Sequence, residues 1–412
     1  MISPEGADPG PVGAGRNSAP LARARRAETT AGDRLSDRVA LNVLLATFPP
    51  ELVDDVLALN GRQQRSRSFP PQLVVYFVMA MCLFAGWDYN AVAHLLTECL
   101  PWARPSDGRG DTPTSAAISQ ARQRLGIAPL RTLFARVCRP IAKASTAGAW
   151  YRGWRMVVAD SATFDVPDTP ANVAVFGRTG GQGKSACPRM RVMAVAEGGT
   201  NAVFAVRTSR SAVNDGWLGR QLFSSLAPGM LIVVGRGFAA FEPWRAATDG
   251  TELLWQAQAH QELPVLTQLA DGSYLSHIMA ARHHNERVEP IAVRVVEYVT
   301  DKGADTSVHR LITTILDPEA APAMDLASTY VQRWEFDTML DELRIRQRDG
   351  RPTLRSFSPT GAEQEVYGLL LVHYAICALV QRSTPSVSPR LDRPHAVRVI
   401  PRQAPTSLRF PG

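Results

Sequence analysis

The period of the apolar residues changes near residue 150. Upstream it is helical. Ser36 can cap a helix carrying Val39, Leu41, Val43 and Leu44, and the Pro49-Pro50 pair stops that helix and opens another, because a first turn accommodates proline and a helix interior does not. Further helical patterns cover 72–84, 89–99, 113–124 and 129–143. Downstream, short continuous apolar runs at 156–159, 191–196, 202–206 and 231–234 read as buried strands of a parallel or mixed sheet, with a helical stretch near 219–226. A second β-rich group follows at 252–255, 263–269, 291–299 and 310–316, and two long helical patterns, 324–348 and 359–382, close the series. The expected fold class is α/β, preceded by an all-α region.

The two ends carry no such pattern. Residues 1–33 are rich in Ala, Gly, Pro and Arg, with a basic cluster at Arg23, Arg25 and Arg26, and read as a disordered basic tail. Residues 383–412 read the same way, with the single acid Asp392 against Arg390, Arg393, Arg398, Arg402 and Arg409. Between them lie a helical domain at 34–150 and an α/β domain at 151–382, in which residues from about 245 to 320 form the β-rich group.

Composition narrows the partners. A chain of 412 residues with 45% hydrophobic and 20% charged residues is an ordinary soluble globular protein with room for two or three cores. Its net charge of +7 favours a polyanion, nucleic acid before a membrane surface. The five cysteines, Cys82, Cys99, Cys138, Cys187 and Cys377, are odd in number and show no paired spacing. That argues against a disulfide frame or a thiolate zinc site and fits a reducing cytoplasm. The first residues lack the apolar core of a secretion signal, and the greasiest stretch, 73–86, falls short of the roughly 20 residues that span a bilayer. It reads as a core helix, and no membrane partner is expected.

Two of the strand-like runs end at matching positions with different chemistry. Met156-Val157-Val158-Ala159 leads into Asp160, whereas Leu231-Ile232-Val233-Val234 leads into Gly235. Ligands and catalytic groups gather at the carboxyl ends of such strands. An acid there suits a hard cation, since Mg²⁺ takes one or two carboxylates plus waters and substrate phosphates. Asp160 is therefore assigned chemistry, while Asp165 and Asp168, on either side of Val166-Pro167, read as turn formers. Late in the chain, Tyr330, Arg333, Asp337 and Arg344 follow at intervals of three, four and seven and share one helical face. Alone, such a stripe is an amphipathic surface helix.

In order, these segments resemble the DDE transposases of the insertion-sequence-four family. Asp160 is followed by Thr163-Phe164-Asp165-Val166-Pro167-Asp168-Thr169-Pro170-Ala171-Asn172 and by Phe176-Gly177. The family's Asp-Arg-Gly-Phe segment is represented by Gly235-Arg236-Gly237-Phe238, and its Tyr-x2-Arg-x3-Glu-x6-Lys signature falls on Tyr330, Arg333, Asp337 and Arg344. Softer matches are Leu263-Pro264-Val265, Asp271-Gly272-Ser273-Tyr274-Leu275 and Glu363-Gln364-Glu365-Val366-Tyr367-Gly368, so the likeness runs from residue 34 to about 382. It implies a ribonuclease H-like catalytic core with a β-rich insertion behind a DNA-binding helical domain. It also implies a homodimer on double-stranded DNA in a bacterial, nucleoid-associated cytoplasmic setting. The implied reaction is cut-and-paste transposition: recognition of terminal inverted repeats, cleavage dependent on two Mg²⁺ or Mn²⁺ ions per site, and strand transfer into target DNA. The catalytic positions implied are Asp160, Gly235 and Asp337, with Asp160 and Asp337 as metal ligands and Tyr330, Arg333 and Arg344 on DNA phosphates.

Two of those three catalytic positions depart from the family pattern. Gly235 has no side chain and cannot ligate a metal. Asp337 keeps the charge of the family's Glu but is one methylene shorter, about 1.5 Å less reach from a fixed backbone, where metal sites hold distances within about ±0.2 Å. Arg344 for Lys keeps a cation with a different geometry. Impaired catalysis is the expectation, and a non-catalytic DNA-binding remnant that represses or competes with active copies is the alternative.

Two further stretches are assigned to DNA. The glycine-rich segment from Gly180 to Ser185 fails the spacing of a nucleotide phosphate loop and reads as a basic loop near DNA backbone, with Lys184, Arg189 and Arg191 as phosphate contacts. In the helical domain, Thr112 can cap a helix opened by Pro113 and ended by Gly126, with Ile118, Ala121 and Leu125 as its buried stripe. Ser119, Gln120, Arg122, Gln123 and Arg124 are set on its outer side as a recognition surface. Arg62, Arg65 and Arg67 form a second basic patch, and His283-His284 read as solvated side chains.

Overall fold

The Pro49-Pro50 pair divides the first two helices as the sequence requires: α1 is Ala31–Thr47, and α2, Pro50–Leu59, opens on proline. The computed structural model describes residues 31–61, 69–100, 102, 113–178, 187–223, 226–235, 244–245, 250–279, 289–300, 308–331, 353–383 and 397–400. The chain divides into Met1–Ala40 and Leu41–Gly412, and the architecture below belongs to the second unit.

Helix α3, Pro71–Leu83, is apolar on every side and buried from Gln72 to Cys82, which makes it a core helix rather than a membrane span. Asp88 caps α4, Tyr89–Cys99, by accepting the Ala91 N–H at 2.8 Å. Helix α5, Ser115–Leu125, is capped by Thr114, two residues beyond the expected Thr112, and ends at Gly126 with φ of +70°. Helix α6, Ala128–Val137, stops well short of the expected 143, because Pro140 disfavours helical backbone at Arg139.

Among the described residues, eleven strands form one sheet. They are β1 (Trp150–Tyr151), β2 (Trp154–Asp165), β3 (Arg189–Glu197), β4 (Val203–Arg210), β5 (Met230–Val234), β6 (Glu252–Gln256), β7 (Thr267–Gln268), β8 (Tyr274–Ile278), β9 (Ile291–Thr300), β10 (His309–Thr313) and β11 (Val397–Val399). Their order is β4-β3-β2-β5-β6-β10-β9-β8-β7, with β1 on β2 and β11 on β9. Strands β5 and β6 run parallel to β2, and the other pairings are antiparallel. Among the described residues, helices α7 (Pro170–Phe176), α8 (Asp215–Phe223), α9 (Ala323–Val331) and α10 (Pro359–Ser383) accompany the strands.

Both faces of the central strands are buried, which is why these runs read as continuous rather than alternating. On one face Met156, Val158, Val192, Ala194, Leu231, Val233 and Leu254 share a core with α3, α5, α6 and α10. On the other, Val157, Ala159, Ile232, Val234, Leu253 and Trp255 pack with Leu218, Leu222 and Phe223 of α8. The change of character near residue 150 is therefore a change of secondary structure and not a break in packing. The strands between 252 and 313 likewise extend the same sheet: β6 is parallel to β5, and β10 joins β6 to β9. Of the expected strand at 263–269 only Thr267–Gln268 pairs, after Pro264. Within the tail read as disordered, Val397–Val399 pairs with Tyr298–Thr300 of β9.

A buried polar interlock ties the early helices to α10. The guanidinium of Arg122 donates to Gln364 Oε1 (3.1 Å), Tyr89 Oη (2.7 Å), Ser356 Oγ (2.9 Å) and the Gly361 carbonyl (2.9 Å). Gln364 returns its amide to the carbonyls of Arg122 (2.8 Å) and Gly126 (2.7 Å). The Glu365 carboxylate accepts from Ser356 Oγ and the Arg355 N–H, while the Arg355 side chain donates to the Trp87 carbonyl at 2.8 Å. One turn on, α3 and α10 approach so closely at Gly368 that a Cβ would lie 2.9 Å from both Cys82 Sγ and the Val78 carbonyl. By length and composition α10 is the one described helix that could cross a membrane, yet most of its apolar stretch is buried in this core.

Candidate functional site

Strand register decides how the two sequence landmarks relate. Strands β2 and β5 pair in parallel from Arg155↔Met230 to Ala159↔Val234, so Asp160 and Gly235 are the next positions on neighbouring strands. Strand β6 adds a third, since Val234 pairs with Trp255 and Gln256 follows. Because side chains alternate along a strand, these three share a face with Val158, Val233 and Leu254, the face covered by the helices. Asp160, Gly235 and Gln256 thus form a row, with neighbouring strands about 4.8 Å apart.

The strand carrying Asp160 does not end there, as the sequence reading expects. The ladder to β5 stops at Ala159, but on the other edge β2 stays paired with β3 through Asp160↔Ala194 as far as Asp165↔Arg189. The Asp160 carboxylate is partly buried. Asp165 is the last residue of β2 and not a turn former; it accepts from Arg189 Nε at 2.8 Å. Asp168 binds Arg178 through both carboxylate oxygens, at 2.5 and 2.6 Å, and Arg191 pairs with Asp215 at 2.5 Å. The cations at 189 and 191, expected on phosphates, therefore hold acids of their own chain.

Helix α9 is fixed to the sheet at both ends. At its start, Asp271 accepts the Ala323 N–H at 2.9 Å, the Ser273 hydroxyl at 2.5 Å and the Arg294 guanidinium. Gly272 makes the turn behind it at φ of +83°. Arg294 is fully buried and donates also to Ser273 Oγ (2.7 Å) and the Ala321 carbonyl (2.7 Å). Burial alone would raise the Asp271 carboxyl, but the bonds from Ser273 and Ala323 and the charge of Arg294 outweigh it and hold it below the ordinary carboxylate value. At the far end, the Tyr330 hydroxyl donates to Gln256 Oε1 at 3.1 Å. With only 4% of its surface exposed, Tyr330 faces the row and not open solvent.

Of the remaining expected site residues, Arg124 is exposed on the last turn of α5. Arg122 is 5% exposed and occupied by the interlock, which corrects its assignment to the outer side of that helix. Its spacing held the signal: 122 is four residues after the buried Ile118. Lys184, Arg333, Asp337 and Arg344 lie outside the described residues, as do Arg62, Arg65, Arg67, Arg236, Gly237, Phe238 and His283-His284. Sequence reasoning missed Gln256 and His309 altogether, since an amide at a strand end and a lone histidine carry no motif. The Asp271-Gly272-Ser273 turn was visible only as a soft family match.

The match to the family described as "Insertion element 4 transposase N-terminal" covers residues 38–135, the span of most of α1 through α6. Over 329 residues the chain is 23% identical to "Transposase InsG for insertion sequence element IS4" of Escherichia coli (strain K12), covering 79% of this chain and 73% of that relative. Among solved structures, a piggyBac transposase synaptic complex with hairpin DNA aligns over 82% of this chain and 74% of its own, at 10% identity and a TM-score of 0.42. The N-terminal helices are thus similar to that family, and most of the chain's length is similar to an IS4 transposase.

Proposed function

We propose that this chain is a DNA transposase of an insertion sequence whose ribonuclease H-like core keeps its scaffold and is impaired in catalysis because Gly235 stands where the family has its second acid. The observation that carries this reading is the parallel register that sets Asp160 and Gly235 level on adjacent strands. The antiparallel β4-β3-β2 series continued by two strands parallel to β2 supports the ribonuclease H-like assignment. By this reading the protein binds inverted repeats and target DNA as a homodimer, with Arg124, Lys184, Arg333 and Arg344 on phosphates.

The described donors fit the two divalent ions of such chemistry only in part. Asp160 offers one carboxylate in the row, Gly235 offers none, and among the described residues no three His, Cys, Asp or Glu side chains lie together. Two-metal sites clamp ions roughly 3.5–4 Å apart, and one acid does not do that. Asp160 and Asp337 are the remaining candidate ligands for Mg²⁺ or Mn²⁺. The same vacancy of function favours a second reading, a non-catalytic DNA binder acting as repressor or competitor, because binding needs no acid at position 235.

The deciding experiment follows cleavage of labelled duplexes, tiled across the DNA flanking this reading frame, in Mg²⁺ and in Mn²⁺. The natural chain runs beside Gly235→Asp, the double change Gly235→Asp with Asp337→Glu, and Asp160→Ala. Losing even a group that supports a metal ligand costs about 10–100-fold, so the restored forms should cut faster than the natural chain by at least that factor. Cutting by the natural chain at the rate of the restored forms, abolished by Asp160→Ala, would show that another acid fills the corner.

A further inference from the structure

We propose that Gln256 is a positioning residue: it docks the helix that opens the family signature onto the strand-end row, setting the distance between that helix and Asp160. The inference rests on the transposase reading for its consequence, but its geometry stands independently. Gln256 ends β6, in the same row and on the same face as Asp160 and Gly235. Its Oε1 accepts the hydroxyl of Tyr330, from the last turn of α9, at 3.1 Å. Its Nε2 lies 3.4 Å from His309 Nδ1. The amide thus turns its carbonyl toward the tyrosine and its nitrogen, a donor, toward the imidazole. The His309 ring is held in turn by Tyr298, 97% buried, with ring centroids 5.3 Å apart.

The arrangement gives the helix two fixed points. Asp271 holds its first N–H, and Gln256 holds its last turn. The signature residues Arg333 and Asp337 come three and seven positions after Tyr330 in the sequence. Catalytic groups must be held within a fraction of an ångström by the residues behind them. Tyr330 therefore acts through its bond to Gln256, inside the protein, and not as a free hydroxyl offered to a phosphate.

The test has two arms. In the first, the chain is labelled with fluorotyrosine and its ¹⁹F spectrum recorded, the Tyr330 line among eight tyrosines being identified by its loss in Tyr330→Phe. Gln256→Met, similar in length but without the acceptor, should shift that line; an unmoved line overturns the contact whether or not the protein acts on DNA. In the second arm, affinities for the tiled flanking duplexes and for an unrelated duplex are compared well below the melting temperature. Gln256→Met and Tyr330→Phe should each lower the preference for the element's end about tenfold, the scale seen when a supporting residue is lost. The double variant should be no worse than either single one. Unchanged preference in both singles, or losses that multiply in the double, overturns the positioning role. Should Gln256→Met fold poorly, Gln256→Glu keeps an acceptor toward Tyr330 and should keep the preference, and its loss there at an unchanged melting temperature overturns the role as well. A natural chain that prefers no flanking duplex sinks the transposase reading instead and leaves the first arm to decide the contact.

Discussion

The interlock around Arg122 and the row at the strand ends lie against the same helix-covered core, and they differ in what their side chains supply. Around Arg122 the family-like segment Glu363–Gly368 is chemically complete. Gln364 and Glu365 are bonded on several sides, Glu363 binds Arg131 and Thr208, and Gly368 allows two helices to touch. At the row, one of three neighbouring positions is a glycine that contributes no side chain. A protein can lose a reacting group without losing its fold, because the group that reacts is seldom the group that holds the fold together. The reverse does not hold, and the comparison can be broken from either side.

The largest effect is expected at Arg122. Arg122→Ala leaves the buried acceptors of Gln364, Ser356 and Gly361 without its donors and should cost about 3–4 kcal/mol in urea unfolding. Arg122→Lys should recover little of it, since a point charge cannot bond four partners from one plane. A loss below about 1 kcal/mol would remove the interlock from the stability of this core.

Next comes the support beneath α9. Asp271→Ala strands a fully buried Arg294 and should destabilise by about 3 kcal/mol. The same pair sets an acid dependence. The folded Asp271 carboxyl titrates below its unfolded value, so its contribution is fully present above the ordinary value of about 4 and fades as pH falls through the lower, folded one. Unfolding followed between neutral pH and strong acid should therefore be less steep in Asp271→Asn than in the natural chain. Equal slopes would exclude this carboxylate as a source of the dependence.

The smallest structural effect, at Arg124, sharpens the contrast within a single helix. Arg124 is exposed two residues after the buried Arg122, and Arg124→Ala should change stability by no more than about 0.5 kcal/mol. If it reaches a phosphate, its loss should lower the salt slope of DNA binding by about 1. An unchanged slope would take Arg124 out of the interface.

These residues show what was legible in the sequence. The strands β2, β3, β5 and β6 could be read because burial on both faces leaves continuous apolar runs, and their ends pointed to Asp160 and Gly235 before any register was known. The extension of β2 past Asp160 was hidden, because it depends on an antiparallel partner along one edge, more than twenty residues on in the chain, that local pattern does not reveal. Arg122 was misplaced for a different reason: its charge outweighed its spacing, although a buried arginine with enough acceptors satisfies both. Gln256 was invisible, since an amide acquires a role only from the partners that folding brings to it.

Strand β11 carries a consequence for the order in which this protein is made. It pairs with Tyr298–Thr300, and the Ile400 N–H reaches the Glu297 carbonyl at 2.9 Å, along the stretch of β9 that extends beyond the part paired with β8. A nascent chain emerges from its N-terminal side, so that stretch stays uncovered until residues 397–400 have left the ribosome. Uncovered strand edges are templates for pairing with other chains. A shortened product that stops after α10 would carry nearly the whole core and still present a sticky edge, so its defect should surface as association between copies before it surfaces as unfolding.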